Sequence, residues 1–315
     1  DLRDNPGGLL DAAVDVSSLF VERGSVIVST RGRSPDSEHA YRSERAPIAP
    51  RVPLVVLVNE FSASASEIVA GAIQDLDRGV VMGTTTFGKG LVQVVKSLPY
   101  NTALKMTTAK YYTPSGRSIQ SIEYENGQGV VTPDSVGQTF TTRGGRTVRD
   151  RHGIEPDVEI REDEPSELEE ALQRRAAFFF YANHFAATHD SIAPDFQATD
   201  ATLQDFRRWL AAEDFRYRTD GERAVAQLGD EFAAIGYETV RDEVAALREA
   251  VLAEKEASFQ RHATALKQHL QEEILARYLS EREQIRARLR YDRPVQEAAR
   301  LIRDGDTYAD ILSVH

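Results

Sequence analysis

Apolar and polar positions divide the chain into two textures. Up to about residue 163, short β-branched runs alternate with turns; beyond E-P-S-E-L-E-E-A-L the β signals stop. Five runs predict strands: 25–30, 53–58, 79–83, 91–98 and 103–112. The run from Pro53 to Val58 is apolar almost without interruption, as expected of a strand buried on both faces. Two helices fit between the strands. One spans Leu9–Val21; the other spans Ser64–Leu76, with Ile68, Val69, Ala72 and Ile73 at helical spacing. Residues 31–50, rich in Arg, Ser and Pro, read as an exposed excursion, and Gly144-Gly145 as the tip of a hairpin. This alternation predicts an α/β core with a mixed β-sheet and flanking helices.

The second half reads as helix throughout: Glu167–His189, Thr202–Tyr217, Glu222–Ile235, the long stretch Thr239–Tyr291, and a closing pair over 295–312. Leu247, Val251, Leu252, Phe259, Leu266, Leu270 and Ile274 form a stripe at near-helical spacing, read as intramolecular core. The expected division is a core over 1–163 and a helical extension over 164–315.

A chain of 315 residues with 41% hydrophobic content is long enough for two domains. Its net charge of −12 argues against nucleic acid and anionic lipid as partners, because both need clustered Lys and Arg. The absence of cysteine excludes disulfides, thiolate metal sites and a Cys nucleophile. No apolar run reaches about 18 residues, so no membrane span is expected.

V-M-G-T-T-T-F-G-K-G-L-V-Q-V-V (81–95) nearly matches the phosphate-binding G-x-x-x-x-G-K-[ST], through Gly83, Gly88 and Lys89. Gly90 replaces the hydroxyl that would bind Mg²⁺, and a strand follows where a helix is required. The expectation is therefore no nucleotide, metal or other cofactor. Gly88 and Gly90 then make a tight turn around an exposed lysine, unless Lys89 has a partner.

N-E-F-S-A-S-A-S-E-I-V-A-G-A-I-Q-D (59–75) offers one. Ser64-x-x-Glu67 is a capping box, which accounts for the serine structurally. The chemical alternative is a nucleophile, because a serine at a helix N-terminus lies beside unpaired N–H groups that can hold an oxyanion. Serine needs a base. None of the histidines stands in a triad context, and only His152 lies near the core. A neutral lysine can serve, and burial disfavours the charged form; Lys89, between two glycines at the start of a strand, could meet that condition if buried.

Five blocks, D-L-R-D-N-P-G-G-L-L-D-A-A-V, P-L-V-V-L-V-N-E-F-S-A-S-A-S-E-I-V-A-G-A-I-Q-D, G-T-T-T-F-G-K-G-L-V-Q, L-K-M-T-T-A-K-Y-Y-T-P-S-G-R-S-I-Q and H-G-I-E-P-D-V-E-I, resemble in order the signature blocks of the carboxyl-terminal processing (tail-specific) proteases, the S41 serine peptidases. The second half is similar to helical extensions on some bacterial members. The resemblance implies a Ser–Lys dyad of Ser64 and Lys89, with Gln93 helping to hold the lysine, since positions four apart on a strand face one side. It implies oxyanion donors at the backbone of Ala65 and of Gly7 or Gly8, with Gly8 preferred. Asp75 is expected to be structural, and Ser62 and Ser66 to serve packing or capping.

The implied activity is peptide-bond hydrolysis through an acyl-enzyme, on protein or peptide substrates with an apolar C-terminus, in the periplasm. Family members carry a PDZ domain ahead of this core, together with a helix and strand before D-L-R. The chain is therefore expected to lack an N-terminal part, and its activity alone is open. The alternative is a non-catalytic scaffold whose long helices bind partners or form a homo-oligomer.

Overall fold

The structure, a computed structural model, describes residues 1–34, 37–125, 128–131, 137–150, 152–161, 164–193 and 195–313. The chain divides into two compact units, Asp1–Glu162 with Asp292–His315, and Asp163–Tyr291. The expected boundary at Asp163 falls outside the described residues. The final segment, read from sequence as part of the helical extension, clusters with the first unit.

The first unit runs α1 (Leu10–Ser18), β1 (Val26–Gly32), β2 (His39–Arg42), β3 (Val55–Val58), α2 (Ala65–Asp75), β4 (Val80–Gly83), β5 (Leu91–Leu98) and β6 (Thr102–Tyr112). Two short ribbons follow, β7 (Ile122–Glu125) with β8 (Gln128–Val131) and β9 (Thr139–Thr141) with β10 (Thr147–Arg149), and then β11 (Val158–Glu159). The parallel and antiparallel pairings separate into two sheets: a parallel one ordered β11-β4-β3 and an antiparallel one ordered β2-β1-β6-β5. The β9–β10 ribbon is the hairpin expected around Gly144-Gly145. The region read as an excursion contains β2, whose Ala40 pairs with Ser29 of β1.

Every residue of α2 is buried, which explains why its apolar stripe is filled out by Ala70, Gly71 and Ala72 rather than by charge. Its side chains join Ile27, Val28, Val56, Val58, Val81, Ile119 and Ile154 in one core. The N-terminus of this helix is thereby fixed in depth and direction.

The second unit comprises α3 (Glu167–Arg174), α4 (Ala177–Thr188), α5 (Asp200–Ala212), α6 (Asp220–Ala234), α7 (Arg241–Arg261), α8 (Ala263–Tyr278) and α9 (Glu281–Arg288). Two expected helices are broken. The first breaks at Ala176, in the left-handed region at φ 48°. The long stretch breaks at His262 and again before Ser280, where Glu283 Oε2 accepts from Ser280 N at 3.0 Å. The breaks divide the apolar stripe: Leu266, Leu270 and Ile274 are buried with Phe178, Tyr181 and Phe206, whereas Leu247 on α7 is exposed.

The chain re-enters the first unit through α10 (Arg293–Arg303) and α11 (Gly305–Leu312). Ala298 and Leu301 of α10 bury against Leu57, Val80, Met82 and Ile160. On α11, Tyr308 Oη donates to Leu54 O at 3.0 Å and accepts from Leu54 N at 2.9 Å.

Candidate active site

Ser64 stands at the N-terminus of α2 with φ 57° and ψ −113°. A non-glycine residue there is strained by about 1–3 kcal/mol and needs outside support. Glu67, fully buried, supplies it: Oε2 accepts from Ser64 N at 2.8 Å, the reverse half of the capping box. Ser64 and Glu67 face each other as a capping box, but Ser64 Oγ makes no full hydrogen bond in it, so capping accounts for Glu67 better than for the hydroxyl.

Glu67 does more than cap. The same Oε2 accepts from Lys89 N at 2.8 Å, and Oε1 accepts from Gly88 N at 2.7 Å and Thr86 Oγ1 at 2.6 Å. Four donors converge on one carboxylate, which matches its acceptor capacity when ionised. One oxygen thus ties the backbone of Ser64 to that of Lys89. Burial pushes the Glu67 carboxyl above its ordinary range, although the four donors oppose this. The sequence identified Glu67 only as a cap; its bridging role depends on residues 19 to 22 positions away.

The loop carrying Lys89 follows a fixed path. Gly88 has φ 83°, and a Cβ there would lie 2.4 Å from Ser121 Oγ, so only glycine fits. Gly90 N donates to Gln120 Oε1 at 2.7 Å, and Ser121 N to Gly88 O at 3.0 Å. These bonds belong to a turn-and-strand junction, not to a phosphate cradle followed by a helix. The side chain of Lys89 is exposed, so the condition of burial is unmet. Gln93 is also exposed, and a register shift between Val92 and Gln93 interrupts the alternation on which the Lys89–Gln93 pairing was reasoned. Lys89 itself precedes β5.

The D-L-R-D-N-P-G-G arm lies against Ser64. Leu2 N donates to Leu57 O at 2.8 Å, Ala63 N to Asn5 O at 3.0 Å and Asp4 N to Asn59 Oδ1 at 2.9 Å. The two neighbouring serines are staples for this arm: Ser62 Oγ donates to Leu2 O at 2.7 Å and Ser66 Oγ to Asn5 O at 3.0 Å. That is more specific than the expected packing or capping. Gly7, at φ 95°, approaches so closely that a Cβ would lie 2.5 Å from Ala63 O and 2.7 Å from Ala65 N. Gly7 N is engaged by Asn5 Oδ1 at 2.9 Å. Among the described residues, Gly8 N and Ala65 N have no acceptor. Ala65 is the first residue of α2, where an unpaired N–H is inherent to the helix.

Asp75, at the far end of α2, is structural. It accepts from Arg117 NH2 at 2.8 Å and Ser115 N at 2.9 Å, with the ion pair almost wholly buried. His152 is half-buried, with Nε2 facing Gly137. Among the described residues, no cluster of His, Asp and Glu could hold a metal.

Comparison with known proteins gives this arrangement its context. Residues 1–136 match the model for peptidase family S41, and residues 168–302 match a model described as "Probable PDZ-protease, C-terminal helical domain". Residues 1–136 are thus similar to peptidase family S41. The chain is similar to the carboxy-terminal-processing protease of Bartonella bacilliformis, at 50% identity over 136 residues, which is 43% of this chain and 30% of that protein. It is also similar to the chloroplastic carboxyl-terminal-processing peptidase 1 of Arabidopsis thaliana, at 41% identity over 38% of this chain and 24% of that protein. Among solved structures, the photosystem II D1 C-terminal processing protease aligns at 34% identity over 54% of this chain and 36% of that one, with a TM-score of 0.39. The matches thus cover under a third of the length of the two curated relatives. The glycine arm, the Ser64 helix and the Lys89 loop all fall within the S41 match, and α4–α9 with all but the first residue of α3 within the helical-domain match.

Proposed function

We propose that the S41 unit is a serine endopeptidase in which Ser64 is the nucleophile and Lys89 the general base. One observation carries the reading: a serine sits on a strained turn at a helix N-terminus beside the unpaired Ala65 N–H, with the lysine loop tied to that turn through Glu67. The S41 match and the names of the relatives support it. The substrate class is protein or peptide, cleaved at or near a C-terminal end with apolar residues. The site of action is extracytoplasmic; no described helix is long and apolar enough to cross a membrane.

In the proposed reaction, Ser64 Oγ bonds to the scissile carbonyl carbon as its proton passes to neutral Lys89 Nζ. Gly8 N–H and Ala65 N–H donate to the oxyanion. Collapse breaks the C–N bond, and the lysine proton leaves with the amine. Water then attacks the acyl-enzyme as Lys89 takes one of its protons, and collapse breaks the ester C–O bond while that proton passes from Lys89 to Ser64 Oγ. Lys89 works only when neutral, and it is exposed in the free chain. A polypeptide laid across the site would cover it. Gln93 would then direct the amine.

Exposure of both Lys89 and Gln93 is also what a non-catalytic scaffold would carry. Cleavage of a loosely folded protein ending in apolar residues decides between the two. The wild type should cleave and be labelled by a fluorophosphonate at Ser64, while folded Ser64→Ala and Lys89→Ala lose activity by a factor on the order of 10⁴ or more. Cleavage surviving in either variant rejects the dyad. A folded wild type that neither cleaves nor labels favours the scaffold.

A further inference from the structure

The glycine arm contains no helix or strand before α1, so its position beside Ser64 depends on individual tethers. Most come from the β3–α2 loop, through Asn59, Ser62 and Ala63, and from Ser66 in the first turn of α2. One comes from much further along the chain. Arg3 NH1 donates to Asp292 Oδ1 at 3.0 Å and NH2 to Asp292 Oδ2 at 2.6 Å, with both side chains mostly buried. This is a two-pronged guanidinium–carboxylate pair, the geometry that fixes orientation best.

Asp292 is itself held. Its Oδ1 caps α10 by accepting from Val295 N at 3.0 Å, and α10 is seated on β3 and β4 through Val295, Ala298 and Leu301. Asp292 is thus a rigid post rather than a mobile surface acid. It fixes Arg3, which lies between Leu2, bonded to β3, and Asp4, bonded to Asn59. Four and five residues further on are Gly7, pressed against Ala65 N, and Gly8 with its free N–H.

We propose that Asp292 is a positioning residue for the oxyanion site, acting through Arg3 on the glycine arm, so that the segment returning after the helical domain completes the S41 active site. The proposal rests on the serine-peptidase reading above for its catalytic consequence. Its structural content, that Asp292 sets the placement of the arm, does not.

The test uses the longest natural form of the protein. Asp292→Asn retains a good N-cap residue for α10 but removes one of the two carboxylates facing Arg3, leaving Asp1 Oδ2 at 2.7 Å from NH2. Asp292→Ala removes both the cap and that carboxylate, and Arg3→Ala removes the other partner. Misplaced oxyanion donors weaken binding of the transition state and leave binding of the substrate unaffected. Asp292→Asn and Asp292→Ala should therefore lower kcat by about tenfold or more with KM within about twofold. Inhibition by a peptide aldehyde, whose hemiacetal oxygen needs the same donors, should weaken by the same factor. The Arg3→Ala/Asp292→Ala double variant should lose no more than Arg3→Ala alone, because the two act as one unit. Amide exchange of residues 2–8 should quicken in Asp292→Asn while β3 and β4 stay protected. Unchanged exchange in the arm, or an unchanged kcat in folded Asp292→Ala, overturns the proposal. If the wild type is inactive and Ser64 does not label, the peptidase reading fails separately, and the exchange result still decides whether Asp292 positions the arm.

Discussion

The loops around Ser64 and the helical unit α3–α9 are held by different physics. Around Ser64, most cohesion comes from backbone groups bonded to single side chains: Glu67 to Ser64, Gly88 and Lys89, Ser62 and Ser66 to the arm, Gln120 to Gly90. Glycines there are in contact with other backbones. The helical unit is held by apolar packing of Phe178, Tyr181, Phe206, Leu266, Leu270 and Ile274, with N-caps such as Ser166, Thr199 and Thr219 closing the helix ends. A site built from directed bonds fixes residue identity. A packed core fixes volume and periodicity and tolerates substitution that conserves both.

The largest expected effect that tests this contrast is at Gly7. Gly7→Ala places a Cβ on Ala63 O and Ala65 N at a left-handed φ, so the arm must shift away from Ser64. Activity should fall on the order of 100-fold, as expected when reacting groups move by about 1 Å. Gly8→Ala meets nothing within 4 Å and should change unfolding free energy by no more than about 0.5 kcal/mol. Equal effects at the two glycines would show that crowding of the arm is not what makes Gly7 specific.

Next is the buried pair at the far end of α2. Arg117→Ala leaves Asp75 charged and without its partner guanidinium inside the core, costing about 3–5 kcal/mol by urea unfolding. In the helical unit, Leu270→Ala should cost about 2–5 kcal/mol, whereas Leu270→Met should cost less than about 1.5 kcal/mol. Arg117→Lys, the corresponding conservative change in the first unit, cannot restore bonds to Gln74, Asp75 and the Arg149 carbonyl together and should recover little. Full recovery by lysine would break the distinction between bond-directed and volume-directed regions. Smaller still, Thr219→Ala removes the acceptor for Glu222 N and should cost about 1 kcal/mol.

The same contrast explains what could be read from the chain. The strands, α2 and the signature blocks were legible because close backbone approach leaves few residue choices at Gly7 and Gly88 and because β3 must be apolar on both faces. Within the helical unit, periodicity located the helices but not their ends. The break at His262 has no Gly or Pro to mark it. The break before α9 did have a signal, since Ser280-x-x-Glu283 is a capping box inside what was read as one helix. Long-range contacts were not legible. Arg3 and Asp292 are 289 positions apart, and no local pattern announces their pairing. The sequence left open whether Lys89 is exposed or buried, because burial of the neighbouring Gly88 and Gly90 says nothing about the direction of a long side chain between them.

The smallest expected effect is a slope. Glu67 is the buried group on which the Ser64 turn and the Lys89 loop depend, and burial raises its pKa from an ordinary value of 4.5. A carboxyl whose folded pKa is raised contributes stability that is fully present below the unfolded value and lost as pH rises through the folded one. Glu67→Gln removes that titration and faces Ser64, Thr86, Gly88 and Lys89 with an amide that cannot accept from all four. The variant should therefore be less stable than the wild type throughout, but the gap should narrow as pH rises from below 4.5 toward neutrality. Urea titrations at a series of pH values measure that gap. A gap that widens with pH would mean that the four donors outweigh burial and hold Glu67 ionised more firmly than in the unfolded chain. The tie between Ser64 and Lys89 would then itself stabilise the fold at neutral pH, rather than being maintained there by the packing of α2 against its burial cost.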